Sequence, residues 1–219
     1  MTLLDGFSGY GGFHLALEQA GFKFDKVYFS EIDKHAIANY KYNFPNSIYA
    51  GSITTISTAT IPEGIDIFTF GFPCQDLSIA GKRKGLEGGS RSSLFFEAVR
   101  IIDEFRPKHF IAENVKGFYS SNKGMDIITA IEVLTYLNKD CPQYDVECQL
   151  CNTSWLLPQN RERIFIVGHL RNTGSKQIFP IGENDARATK GAVETTTIRT
   201  LTGGGNSGGM HLSMTLLRV

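Results

Sequence analysis

Residues 2–12 read TLLDGFSGYGG, a short apolar run that passes directly into a glycine-rich turn. The run predicts a buried strand, and the apolar spacing after it predicts a helix. Glycines in such a turn let the backbone approach a ligand that a Cβ atom would block. In a doubly wound sheet, ligands bind outside the carboxyl ends of the strands and face a helix N-terminus. This stretch therefore predicts an α/β fold with a ligand site beside the turn.

The same alternation of strand and helix continues along the chain. Apolar runs predict strands at 2–5, 27–30, 66–70, 109–112, 146–151 and 164–170, and helical spacing predicts helices at 13–20, 34–42, 92–105 and 125–137. This order is typical of a doubly wound, mostly parallel sheet covered on both faces. We expect one domain over residues 1–170. Residues 171–219 carry few periodic apolar residues and a glycine-rich run, so they predict a tail that is either flexible or the start of an incomplete second domain.

Composition excludes several classes of protein. The 219 residues include 22 Lys and Arg against 22 Asp and Glu, which excludes a globally polybasic nucleic-acid coat but leaves room for a local basic patch. No stretch approaches the roughly 20 apolar residues that a membrane helix needs. The first residues lack the basic and apolar regions of a secretory signal, and four cysteines are too few for a disulfide framework. We expect a cytoplasmic protein with no membrane partner.

An acidic residue stands where the second predicted strand ends. At that position Glu31 can accept the hydroxyl hydrogens of a ribose. The turn lacks the third glycine of the dinucleotide fingerprint, which favours an adenosine without phosphates over a pyrophosphate. The alternative is a tight strand-to-helix connection that binds no ligand.

A cysteine follows the strand predicted at 66–70, in the sequence GFPCQDLS at 71–78. A thiol becomes a nucleophile as its thiolate, which requires an exposed and electropositive setting. Four cations that follow supply such a setting for Cys74: Lys82, Arg83, Lys84 and Arg91. The alternative is a buried structural cysteine beside an unrelated run of surface charge.

Two further motifs fall at the same predicted rim of the sheet. Glu113 follows the strand predicted at 109–112, where the alternative role is a helix cap or a loop charge. Arg161 and Arg163 lie two residues apart before the last predicted strand, so they share one face of an extended segment. Together they could brace Glu113 or a phosphate, or form a solvated edge.

These motifs together resemble the cytosine-5 DNA methyltransferases. The resemblance covers nearly all of residues 2–170 and rests on DGFSGYGGF at 5–13, EID at 31–33, GFPCQ at 71–75, ENV at 113–115 and QNRER at 159–163, in the order of the family. It implies a sheet of the S-adenosylmethionine-dependent methyltransferase type, which is Rossmann-like. It also implies S-adenosylmethionine as the methyl donor and double-stranded DNA as the partner.

The resemblance assigns a set of residues to the cofactor. Phe7, Gly9, Gly11 and Gly12 are implied at the methionine end, Glu31 at the ribose and Ile32 against the adenine. Leu94 is implied to close the pocket. Where the family usually carries Gly-Asp-Ile, this chain has Gly51, Ser52 and Ile53, so the Ser52 hydroxyl replaces the expected carboxylate acceptor for the adenine amino group.

The resemblance also implies the chemistry. Cys74 would attack carbon 6 of a cytosine flipped out of the duplex, which activates carbon 5 towards the methyl group. Glu113 would hydrogen-bond the ring, Arg163 would neutralise charge on the adduct and Arg161 would help to hold the site. The loop 75–91 would close over the base, with five residues implied to contact nucleic acid: Gln75, Ser78, Lys82, Arg83 and Arg91.

Two questions stay open at the level of sequence. The C-terminal motifs of the family are not recognisable in residues 171–219. Three readings follow: a split or truncated enzyme in a restriction-modification or phage setting, whose missing part a second chain supplies; a module that binds cofactor or nucleic acid without turnover; or a tRNA cytosine-5 methyltransferase. Cys148 and Cys151 form a C-x-x-C without a second ligand pair, which favours core packing over zinc, and we predict no metal site.

Overall fold

The computed structural model describes residues 1–73, 94–174 and 177–182. Its seven strands are β1 (Thr2–Gly6), β2 (Lys26–Ser30), β3 (Ile48–Tyr49), β4 (Ile67–Gly71), β5 (His109–Val115), β6 (Tyr144–Asn152) and β7 (Glu162–Leu170). Its α-helices are α1 (Gly12–Gln19), α2 (Lys34–Asn43), α3 (Leu94–Phe105), α4 (Lys116–Ser120) and α5 (Met125–Tyr136). Ten predicted elements are confirmed in type and order, whereas the two-residue β3 and the five-residue α4 were too short to predict.

The strands form one sheet in the order β3-β2-β1-β4-β5-β7-β6. Strands β1 to β5 pair in parallel, and β7 runs antiparallel to both of its neighbours. The chain builds outward from β1 to β3 and then returns to the other side of β1 as β4. This reversal creates a topological switch point between β1 and β4, where open α/β sheets place their ligands. The expected doubly wound, mostly parallel sheet is confirmed.

Apolar residues of helices and strands meet in one main core. In α3 the buried residues Phe95, Ala98, Val99 and Ile102 recur at helical spacing, so one stripe of this helix covers the sheet. The central strands are buried on both faces, as Leu3, Leu4 and Phe68 in β1 and β4 show with exposures of 0%. The sheet thereby becomes a rigid support for the polar residues at its carboxyl edge.

Strands β5 and β7 run further towards that edge than the apolar pattern predicts. Glu113 lies inside β5 opposite Phe165, and Arg163 lies inside β7 opposite Val115. The expectation that both residues lie outside the strands was wrong. The antiparallel ladder continues past the apolar residues because each strand still finds hydrogen-bonding partners on the other.

The described part of the predicted tail packs back onto β6. The Glu147 carboxylate accepts hydrogen bonds from the backbone N–H groups of Ile178 and Phe179, and Phe179 is 4% exposed. The Gln149 side chain exchanges hydrogen bonds with the backbone of Ile181. Most of the tail predicted over 171–219 falls outside the described residues. No helix in the described ranges is long and apolar enough to cross a bilayer.

Candidate active site at the carboxyl edge of the sheet

The glycine turn (residues 7–12) connects β1 to α1 through an unusual backbone. Phe7, Gly9 and Gly11 have φ angles of 53°, 53° and 85°. The turn is held against β2 by the hydrogen bond from Ser8 N to Ser30 O, at 3.0 Å. Positive φ costs little at Gly9 and Gly11, whereas it is uncommon for a residue with a Cβ atom, so the packing around the turn must hold Phe7 in this conformation.

The glycines of the turn serve different purposes. A Cβ atom at Gly9 or Gly12 would meet nothing within 4 Å, so these residues border open space that a ligand can enter. A Cβ atom at Gly11 would lie 2.5 Å from Cε2 of Phe44 and 3.0 Å from Cε2 of Tyr40. Gly11 is therefore required by the packing of α1 against α2, whereas Gly9 and Gly12 are free to face a cofactor.

Glu31 is tied to the glycine turn by backbone hydrogen bonds. Its Oε2 atom accepts from Gly9 N at 2.9 Å, and its Oε1 atom accepts from Ile32 N at 2.7 Å and Asp33 N at 3.0 Å. A carboxylate oxygen has about two lone-pair sites, so Oε1 is already fully used and Oε2 retains capacity for a hydroxyl donor. The carboxylate is thus oriented before any ligand arrives.

The other residues assigned to the cofactor lie around this carboxylate and the core. Ile32 is 78% exposed beside Glu31, which offers a flat base an apolar surface. Ser52 caps the short helical turn Ile53–Thr55, and its Oγ lies 3.0 Å from Oγ1 of Thr54. Ile53 is 4% exposed, and Leu94 is partly buried against the core at the start of α3. The open turn, the oriented carboxylate and the exposed apolar side chain fit the methionine, ribose and adenine parts of S-adenosylmethionine.

A buried carboxyl group lies beneath the glycine turn. Asp5 is 1% exposed and accepts a hydrogen bond from the Thr69 hydroxyl at 2.8 Å, while the Tyr40 hydroxyl lies 3.3 Å away. Burial is the main cause that raises the pKa of Asp5 to about 7. This group was not predicted, although an aspartate inside an apolar strand is a visible signal in the sequence.

Glu113 and Arg163 form an ion pair two strands away from the glycine turn. Their Oε1 and Nε atoms lie 2.7 Å apart, and the side chains are 27% and 22% exposed. Glu113 pairs with Gly71 across β4 and β5, and a Cβ atom at Gly71 would lie 3.5 Å from its Oε2. Because only β4 separates β1 from β5, the turn and Glu113 lie about 10 Å apart along the edge.

Asn114 fixes the backbone that leads to the predicted nucleophile. Its buried Nδ2 donates to the Phe72 carbonyl at 3.0 Å, and its Oδ1 accepts from Val115 N at 2.8 Å. The chain therefore leaves β4 beside Glu113 and reaches Pro73, the last described residue before Cys74. This role of Asn114 was not predicted, although the residue stands next to Glu113 in the ENV motif at 113–115.

Arg161 and Arg163 differ in what they contact. Arg163 pairs with Glu113, but Arg161 precedes β7, and its side chain is exposed with no hydrogen bond or ion pair to the described residues. The backbone of Arg161 bonds Thr153 across the hairpin between β6 and β7. Of the alternatives that the sequence left open, contact with Glu113 is therefore seen for Arg163, while the role of Arg161 stays a prediction.

Several assigned residues lie outside the described ranges. They are the predicted nucleophile Cys74 and the residues assigned to nucleic acid: Gln75, Ser78, Lys82, Arg83 and Arg91. Their assignments stay predictions.

Cys148 and Cys151 have the properties of packing residues. Burial raises the pKa of the Cys148 and Cys151 thiols to about 11, which keeps both protonated near neutral pH. Cys141 is exposed, and all three are free of disulfides. Within residues 1–73, 94–174 and 177–182, no group of three or more His, Cys, Asp and Glu side chains is arranged to hold a metal ion.

Comparison with known proteins agrees with this geometry. Type II methyltransferase M.HpaII of Haemophilus parainfluenzae is 43% identical over 175 residues, which are 79% of this chain and 47% of that protein. Type II methyltransferase M1.ScrFI of Lactococcus lactis subsp. cremoris is 44% identical over 78% of this chain and 42% of its own length. The chain thus spans about half the length of the curated relatives it matches.

Fold and family comparisons extend this likeness. A crystal structure of Spodoptera frugiperda DNMT2 superimposes with a TM-score of 0.61 at 24% identity, over 79% of this chain and 51% of that one. The family described as C-5 cytosine-specific DNA methylase, whose enzymes use S-adenosylmethionine, matches residues 1–215. The chain belongs to the C-5 cytosine-specific DNA methylase family.

Proposed function

We propose that this chain is the catalytic part of a DNA (cytosine-5)-methyltransferase that transfers a methyl group to carbon 5 of a flipped cytosine. The observation that carries the proposal is the placement of two sites on one edge of the sheet. The glycine turn with Glu31 lies on one side of β4, and the Glu113–Arg163 pair lies on the other. Their separation of about 10 Å suits a methyl donor next to a planar base.

The described cofactor residues define how the donor would be held. S-adenosylmethionine supplies an electrophilic methyl group on a sulfonium. Phe7, Gly9 and Gly12 would line its methionine end, Glu31 would accept its ribose hydroxyls and Ile32 would cover its adenine. Gly11 would support this site by letting α1 pack against α2, and the Ser52 hydroxyl, Ile53 and Leu94 would border the adenine.

The base would be activated by addition and elimination. The Cys74 thiolate would add to carbon 6, and the electrons displaced towards carbon 5 would make that carbon nucleophilic enough to take the methyl group. S-adenosylmethionine, held by the residues above, would supply that methyl group and leave as S-adenosylhomocysteine when its sulfur–methyl bond breaks. A base then removes the carbon 5 proton, and the returning electron pair expels the Cys74 thiolate. Glu113 would hydrogen-bond the ring nitrogen and amine, and the paired Arg163 would hold Glu113 and stabilise charge on the adduct.

Duplex DNA would supply the base, which must leave the stack to reach this edge. Gln75, Ser78, Lys82, Arg83 and Arg91 stay the proposed nucleic-acid contacts, since their sequence positions follow Cys74. The exposed Arg161 would contact a phosphate beside the flipped nucleotide. The type II names of the relatives support a restriction-modification setting.

The curated relatives are about twice as long as the region in which they match this chain. The relatives match this chain over less than half of their own length, so target recognition is proposed to need the remaining part, in the same or a second chain. The assay therefore tests this chain alone and together with a polypeptide corresponding to that part.

The test measures transfer of labelled methyl from S-adenosylmethionine to cytosine-containing duplex DNA. Transfer is expected from the wild type and is expected to disappear in Cys74→Ser. Cys141→Ser is the matched control, because Cys141 is an exposed free cysteine, and it should retain activity. A tRNA arm separates the RNA reading. Cofactor binding without transfer in either setting would favour the binding module, and transfer by Cys74→Ser would overturn the mechanism.

A further inference from the structure

A chain of buried polar side chains connects Asp5 to the surface. The Tyr40 hydroxyl lies 3.3 Å from Oδ2 of Asp5 and 3.1 Å from Nδ1 of His14. Tyr40 and His14 are 0% and 3% exposed. Nε2 of His14 lies 3.2 Å from Oε1 of the half-exposed Glu18. None of these side chains has a role in the chemistry proposed above.

Counting protons restricts the states of this network. The Tyr40 hydroxyl has one hydrogen and two neighbouring acceptors. The Glu18 carboxylate beside Nε2 favours the neutral His14 tautomer that carries its hydrogen on Nε2, which leaves Nδ1 as an acceptor. With that tautomer, both contacts are hydrogen bonds only if Asp5 is protonated and donates to Tyr40, or if His14 takes up a second proton at Nδ1 and donates to it. Either pattern needs one extra proton shared between Asp5 and His14. When that proton is lost, one of the two buried hydrogen bonds is lost with it.

The surroundings favour the pattern in which Asp5 carries the proton. Burial raises the pKa of Asp5, and the Glu31 carboxylate raises it further. Burial lowers the pKa of His14, although the Glu18 carboxylate opposes that shift. Thr69 faces Asp5 from β4 as a neutral donor. The network is therefore complete below about pH 7 and incomplete above it.

The network joins the elements that frame the glycine turn. Asp5 lies in β1 just before the turn, and its carboxyl group also accepts from the backbone N–H of His14 in the first turn of α1. Tyr40 lies in α2, and the ring of His14 packs 4.1 Å from that of Phe44, measured between centroids. Loss of one link would loosen α1 and the turn relative to α2.

We propose that Tyr40 and His14 are positioning residues of the S-adenosylmethionine site, which hold Asp5 and thereby fix the glycine turn in its ligand-binding conformation. The inference rests on the cofactor site described under the proposed function. Its consequence is that cofactor affinity depends on the proton shared by the network.

The test measures binding of S-adenosylhomocysteine and S-adenosylmethionine to the full chain by calorimetry. Tyr40→Phe keeps the ring and removes the link, so both affinities should fall about tenfold at pH 6.5, with KM for S-adenosylmethionine raised and kcat unchanged. The matched control is Tyr28→Phe. Tyr28 is also buried and its hydroxyl bonds a carboxylate, that of Glu63, so this variant should stay within about twofold of the wild type.

A pH series separates positioning from a merely structural role. The affinity of the wild type for both ligands should fall as pH rises through about 7. At each pH, this affinity is compared with that of Asp5→Asn, because any titration of the ligands themselves affects both proteins equally. The Asn amide can donate to Tyr40 and accept from Thr69 at any pH, so that variant should lack the fall. S-adenosylhomocysteine has no sulfonium charge, so its matching fall excludes simple charge attraction.

Failure of the positioning role and failure of the cofactor site would give different results. Tyr40→Phe with wild-type affinity, or Asp5→Asn with the pH profile of the wild type, would overturn the positioning role. A wild type that binds neither ligand at any pH would overturn the cofactor site itself. If Tyr40→Phe does not fold, the Asp5→Asn series still decides.

Discussion

The two parts of the site are held in different ways. On the cofactor side, Glu31 is oriented by three backbone N–H groups, and the turn rests on a buried network. On the base side, Glu113 is held by one side chain, Arg163, at a partly exposed edge. Backbone-held groups depend on the conformation of the turn, whereas a group held by a side chain depends on the charge of its partner. The cofactor side should therefore be sensitive to backbone changes and the base side to charge changes.

The largest effect is expected at Glu113. Glu113→Gln keeps the size of the side chain but removes its charge and leaves Arg163 without its partner, so methyl transfer should fall by about 100-fold or more. Affinity for S-adenosylmethionine should change less than about twofold, because only the base side is altered. Single-turnover kinetics and calorimetry measure the two quantities. An equal loss of cofactor affinity would show that the two sides are not separable.

The converse change is expected to act on the cofactor side. Glu31→Gln cannot accept from Gly9 N, Ile32 N and the ribose hydroxyls with the same charge-assisted strength, so S-adenosylhomocysteine affinity should fall about 10- to 30-fold. Affinity for DNA should stay close to that of the wild type in a binding titration. Glu132→Gln, at an exposed glutamate on α5, provides a variant with the same change in charge away from both sites. A similar loss in both variants would point to general electrostatics rather than to the ribose contact.

Substitutions in the glycine turn should differ in their effect on the free energy of unfolding. Gly11→Ala forces a Cβ atom to within 2.5 Å of the Phe44 ring and strains a φ of 85°, so it should lower the free energy of unfolding by about 2–4 kcal/mol. Gly9→Ala meets no atom within 4 Å and should cost about 1–2 kcal/mol for its positive φ alone. Urea unfolding measures both. If Gly9→Ala costs as much as Gly11→Ala, the assignment of Gly9 to open space is wrong.

The smallest effect is expected at Arg161. Arg161→Ala should weaken DNA binding modestly and reduce the slope of log affinity against log salt by about 0.9, as expected for one lost phosphate contact. Lys139→Ala is the control. It also removes one surface cation, but Lys139 lies between α5 and β6 and pairs with Asp103. An unchanged salt slope in Arg161→Ala would contradict the phosphate contact.

The sequence predicted the sheet and the edge on which the site lies, because alternating apolar runs and the turn at 7–12 are local signals. Glu31, Glu113 and Arg163 were predicted from their positions in motifs next to strands. The pairing of Arg163 rather than Arg161 with Glu113 was not predictable, since it follows from how far the β5–β7 ladder extends. The contact between Asp5 and Tyr40 joins residues 35 positions apart and depends on the packing of α2.

The covalent step at Cys74 is the central claim, and a mechanism-based trap tests it most directly. Duplex DNA containing 5-fluorocytosine is incubated with the active enzyme and S-adenosylmethionine, and the products are separated under denaturing conditions. Fluorine cannot leave as a cation, so we expect a denaturation-resistant complex that depends on the cofactor, in which mass spectrometry locates the methylated base on the Cys74 peptide. If a preparation methylates ordinary cytosine yet forms no such complex, or forms it at another residue, Cys74 is not the nucleophile.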